Sequence, residues 1–174
     1  ADLVDRGYDL IAPIPSCVLM YKQELPLMYP DDPQVQKVQQ AFYDPFEYLW
    51  LRHKGGAFNT EFPNAIGSVA YQVACHQRVQ KIGLKTRDVL ALVADSDIVA
   101  YERCSGHDGT YAVKSETRAK SVKIARPTVK KVDAQAPDHL ISDCPMAGAQ
   151  IADLAESVDT ALHPMTLLRM AYGF

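Results

Sequence analysis

Short apolar runs alternate with helical periodicity along the chain. Four runs rich in Ile, Val and Tyr, bounded by polar or turn residues, predict strands over Asp9–Ile14, Ser68–Ala74, Asp97–Glu102 and His139–Ser142. Helical spacing predicts a short helix from Pro15 to Met28, stopped by the Pro30-Asp31-Asp32-Pro33 turn. A long amphipathic helix is expected from Gln34 to Lys54, with Val35, Val38, Phe42, Phe46, Leu49 and Trp50 on one side and Gly55-Gly56 at its end. Further helices are expected over Lys85–Val93, Thr117–Ala134 (interrupted at Pro127), Pro145–Glu156 and Pro164–Ala171, the last two with Pro in the first turn. A helical pattern is already under way at Ala1, which stands where Met is expected and reads as the start of a fragment or processed product. Strands alternating with helices predict an α/β fold, a mainly parallel sheet flanked by helices. The loop Ala57–Ile66 is the candidate boundary between two units.

Composition narrows the possibilities. The chain has 174 residues, 48% hydrophobic and 22% charged, an ordinary globular balance that supports a core. Net charge is −3, so no overall basic field exists to attract nucleic acid or anionic lipid. No apolar run is long enough to span a membrane. Four cysteines are too few for a disulfide scaffold, and reduced thiols in a cytoplasmic setting are expected.

Each cysteine follows a predicted strand. Cys17 comes after Asp9–Ile14, Cys75 directly after Ala74, Cys104 at the end of the Val99–Tyr101 strand, and Cys144 after His139–Asp143. In an open parallel sheet, all carboxyl ends of strands lie on one edge, where ligands bind. Cys17, Cys75 and Cys144 also precede expected helices, whose N-termini favour the thiolate that binds iron or zinc. Burial as small hydrophobes is the alternative for any one of them. No Cys-x-x-Cys occurs, so the spacing is neither a zinc ribbon nor a ferredoxin pattern.

Other constellations carry less. Ser105-Gly106-His107-Asp108-Gly109 places Ser, His and Asp together, but triads are assembled by the fold, and no Gly-x-Ser-x-Gly elbow is present. There is no phosphate-binding loop or dinucleotide fingerprint. Lys114, Arg118, Lys120, Lys123, Arg126, Lys130 and Lys131 form a basic stretch, read as a solvated helix face, with a docking face for an acidic redox partner as the second reading. Tyr71 and Tyr111 are expected in the core or lining a crevice. His53 reads as surface and His163 as a helix start.

The segments Val73-Ala74-Cys75-His76, Arg103-Cys104-Ser105-Gly106-His107 and Ser142-Asp143-Cys144-Pro145-Met146-Ala147, with the tail His163-Pro164-Met165-Thr166-Leu167-Leu168, resemble the cysteine-rich (CCG) domain of heterodisulfide reductase-related iron–sulfur proteins. That domain also occurs in the iron–sulfur subunit of anaerobic glycerol-3-phosphate dehydrogenase, and the present chain resembles the C-terminal part of that subunit. The family repeat has a Cys, a Cys-Cys-Gly and a Cys-x-x-Cys, each after a strand, and normally occurs twice. The resemblance implies that residues 1–65 end a first repeat, with Cys17 in Pro13-Ile14-Pro15-Ser16-Cys17 as its last cysteine, and that residues 66–174 form the second. It departs from the family at Ser105 and Ala147, where cysteines are expected.

The resemblance implies an iron–sulfur centre, a 4Fe-4S cluster first and zinc as the alternative. Cys75, Cys104 and Cys144 would hold it, with Cys17 as the fourth contributor and His107 or, less favoured, His76 as further ligands. The implied function is electron transfer as a subunit or fragment of an oxidoreductase complex. The alternative is a zinc-binding or metal-free interaction domain that has lost redox ligands. The implied partner is the N-terminal remainder of the same protein or a redox subunit, flavin dehydrogenase or ferredoxin-like. Nucleic acid is not expected, and the location is cytoplasmic or at the periphery of the inner membrane through a partner.

Overall fold

The computed structural model describes residues 1–174 and is mixed α/β, with every strand pair parallel. The chain runs α1 (Asp2–Asp5), β1 (Leu10–Ile11), α2 (Pro15–Leu19), then a π-turn over Met20–Glu24 that leads into α3 (Leu25–Met28). Next come α4 (Pro33–Ala41), β2 (Phe42–Tyr43), α5 (Pro45–Lys54), β3 (Gly67–Gln72), α6 (Cys75–Val79), α7 (Lys85–Leu90) and β4 (Ser96–Tyr101). The chain ends with α8 (Ser115–Gln135), β5 (His139–Ser142), α9 (Pro145–Ala152), β6 (Ala161–Leu162) and α10 (Pro164–Ala171). No helix is long and apolar enough to cross a membrane.

Four strands form the main sheet in the order β4-β3-β5-β6, and β1 and β2 pair separately. β3 is central, with Val69 opposite Ile98 on one side and His139 on the other. Its side chains alternate between two cores, as the period of two requires. Val69, Tyr71 and Val73 face Phe46, Val89, Leu90, Leu167 and Leu168 from α5, α7 and α10. Ala70 and its neighbour Leu140 face Ala125, Val129, Val132 and Ile151 from α8 and α9. The sheet is therefore sandwiched between two helical layers.

The long helix expected from Gln34 to Lys54 is two helices. Asp44 caps α5 by accepting from Phe46 N and Glu47 N, and Glu47 accepts in return from Asp44 N. Pro45 then starts the new helix at the position where its missing N–H costs nothing. Phe42 leaves the helical path to pair with Leu10. Pro127, by contrast, does not interrupt α8. Pairing divides near the loop 57–66, but packing does not. Phe46 lies in the main core, Phe62 packs tilted against Tyr172, and Asn64 N donates to Ala171 O. His53, expected at the surface, is half-buried between Trp50 and Phe58.

The two sheets share one local topology. β1 is followed by a helix that opens with Pro15 and carries Cys17, and its parallel neighbour β2 is followed by the cap Asp44 and Pro45. β5 is followed by Cys144 and Pro145, and its parallel neighbour β6 by the cap His163 and Pro164. β5 has β3 on its other side, whereas β1 has no second strand.

Candidate metal centre

Parallel pairing puts the carboxyl ends of β3, β4 and β5 on one edge, and the loops leaving that edge enclose a cavity of about 470 Å³. Cys75, Cys104 and Cys144 all line it, together with His76 and His107. Ser105 and Ala147, the two positions where the resembled pattern has cysteines, line the same cavity. Cys17 is exposed and does not line it, although its neighbours Ile14 and Ser16 do. Tyr111 stays half-exposed outside it, and Tyr71 is fully buried in the core.

Each cysteine is set by a distinct local device. Cys75 is the first residue of α6 and Cys144 the residue before α9. The Cys104 loop is bound to α8: Thr128 Oγ1 donates to Cys104 O at 2.9 Å and Ser121 Oγ donates to Gly106 O at 2.7 Å. Gly106 N in turn donates to Cys104 Sγ at 3.3 Å. Gly106 has φ +79°, and a Cβ there would collide with Ser121 O, so only glycine fits this approach. At Gly109, with φ +65°, nothing lies within 4 Å of that position.

Gln72, a residue the strand pattern gives no reason to single out, joins these ends. It is 0% exposed at the end of β3. Its Nε2 donates to Val73 O and to Arg103 O, beside Cys104, at 2.8 and 2.9 Å. Its Oε1 accepts from Ser142 Oγ at 2.8 Å, and Ser142 Oγ accepts from Cys144 N at 3.2 Å. One buried carboxamide thus links the loops that carry all three cysteines. The only sequence signal for it is a polar residue inside the apolar run Val69–Val73.

A second buried network lies behind Cys144. Tyr71 Oη and Thr86 Oγ1 donate to the two oxygens of Asp143. Burial raises the Asp143 carboxyl above its ordinary value. Burial, and then Asp143, push Asp44 up to about 6. At Cys75 the helix start does not prevail as expected: burial and then the neighbouring Cys104 sulfur raise the thiol, and Arg78 opposes them. His163 starts α10 as expected, accepting from Met165 N, and its other ring nitrogen meets Pro13 O.

No three His, Cys, Asp or Glu side chains are gathered around a point that would hold a single metal ion. Tetrahedral zinc, with bonds of about 2.3 Å to sulfur, needs its thiolates nearly in contact. No protein-family model matches the chain, and no curated protein matches it either.

Proposed function

We propose that this cavity holds an iron–sulfur centre through Cys75, Cys104 and Cys144, and that the protein is an electron-transfer unit of an oxidoreductase complex. The observation that carries this is the convergence of three thiols, from three separate strand ends, on one cavity. When bound, such a centre supplies electron transfer at a potential set by hydrogen bonds to its sulfurs and by solvent exposure. The chain's own residues hold and tune the site. Gly106 N–H points at Cys104 Sγ, Gln72 fixes the loops relative to one another, and α8 backs the Cys104 loop. His107 and His76 line the cavity within its wall, and His107 is the better candidate for a non-cysteine ligand because it shares the Cys104 loop.

The shared topology of β1–β2 and β5–β6 supports the resemblance to a twice-repeated cysteine-rich domain. It also supports a partner, the N-terminal remainder of the same protein, that would supply β1 with the second neighbour β5 already has. The second reading is an interaction domain, zinc-stabilised or metal-free. Ser105 and Ala147 favour it, because each removes a thiol from the cavity wall. Iron, acid-labile sulfide and zinc, measured with the visible spectrum on anaerobically purified protein, separate the two. Iron and sulfide with broad charge-transfer absorption support the electron-transfer reading. Colourless protein holding zinc, or no metal, supports the other.

A further inference from the structure

The cysteine site leaves one charged surface unexplained, the outer face of α8. Lys120, Lys123, Arg126 and Lys130 are all exposed there, and none takes part in an ion pair. Their spacing of three or four residues makes each a neighbour of the next, so they repel one another along the helix. Neither carboxylate of α8 forms an ion pair with them: Glu116 stands one turn before Lys120, and Asp133, three residues after Lys130, accepts from Glu156 N and Ser157 N. A chain of net charge −3 thus gathers four unpaired cations on one helix face. Pro127 and Ile124, the latter 43% exposed, flank this stripe on the side towards the packed face of the helix.

The inner face of the same helix grips the Cys104 loop through Ser121 and Thr128. The cations therefore stand about one helix diameter, roughly 10–12 Å, from the Cys104 backbone. We propose that the outer face of α8 is the docking site of an acidic electron-carrier protein, which it holds beside the Cys104 wall of the cavity. This rests on the electron-transfer reading of the cavity. A protein partner is favoured because the stripe adjoins the loop of a cavity read as an electron-transfer site, which an electron carrier serves and nucleic acid or lipid does not, and a single exposed Ile is too little apolar surface for membrane insertion.

The test uses two acidic probes, a purified plant-type ferredoxin and a purified flavodoxin, with phosphatidylglycerol vesicles and duplex DNA as competitors for the assignment. Binding is measured by calorimetry at low and at physiological salt, for the wild type, for the double variant K123E/K130E, and for K54E on α5 as a control. The proposal predicts that at least one carrier binds, that added salt weakens it, and that K123E/K130E weakens it tenfold or more while K54E does not. Failure of both carriers to bind, binding indifferent to the reversal, or binding of vesicles or DNA with the same dependence overturns it. Iron content of the same samples reports the cavity separately: iron-free protein that still binds a carrier in this way supports the docking face and counts against the cavity reading alone.

Discussion

Asp44 is 1% exposed, yet it caps α5 with a carboxylate oxygen that accepts from Phe46 N at 2.9 Å and Glu47 N at 3.3 Å. Its carboxyl is pushed from the ordinary 3.8 up to about 6, first by burial and then by Asp143. Between those two values the folded chain binds more protons than the unfolded chain, so stability must fall as pH rises. The contribution is complete below about pH 4 and is lost as pH passes through about 6. The gap between 3.8 and about 6, at ~1.36 kcal/mol per pH unit, corresponds to about 3 kcal/mol. Asp143, raised by burial, acts in the same direction. Asparagine keeps the capping oxygen and cannot ionise. Urea unfolding from pH 4 to 7.5 should therefore show the wild type losing stability with rising pH, and D44N losing about 2 kcal/mol less over that range, which begins just above the unfolded value of 3.8. A wild type that gains stability across this interval, or a D44N protein with the same pH slope, refutes the assignment of a buried, proton-holding Asp44.

Three further substitutions probe the loops around the cavity. G106A meets both the left-handed φ penalty, about 1–2 kcal/mol, and overpacking against Ser121 O, about 1–3 kcal/mol. G109A meets only the first, and thermal unfolding of the two variants compared with the wild type checks the difference. Q72L leaves Arg103 O, Val73 O and the Ser142 hydroxyl without their partner, at about 1–3 kcal/mol for each buried group left unpaired. It should lower both the denaturation midpoint and the iron retained per chain, whereas an iron content equal to wild type contradicts the positioning role of Gln72.

The strand-end placement of the cysteines was legible because it needs only strand existence and parallel pairing. His139–Ser142 and Pro164–Ala171 fall where the pattern puts them, since an apolar run bounded by Asp138 and Asp143, and a Pro-started amphipathic segment, leave little choice. β2 and β6 were not legible, because two residues carry no periodicity and exist only through their neighbours. The break at Asp44-Pro45 was hidden by apolar residues at Val38, Phe42 and Phe46, which keep helical spacing through it. The cap and proline were the stronger signal. Within the site, Gln72 could not be read from sequence, because a lone polar residue in an apolar strand gives no sign of which loops it will tie. Cys17 fits the strand-then-cysteine pattern and its segment reaches the cavity through Ile14 and Ser16, yet Cys17 itself is exposed outside the wall.

Thiol accessibility with and without bound metal tests the shared site most directly. Protein purified anaerobically, and the same protein after chelation, are alkylated briefly under native conditions, and each cysteine is quantified by mass spectrometry. A shared centre predicts that Cys75, Cys104 and Cys144 are protected together in the metal-bound sample and become reactive together after chelation, with Cys17 reactive in both. Reactivity of those three that is unchanged by chelation, or protection of only one of them, contradicts a centre held in common.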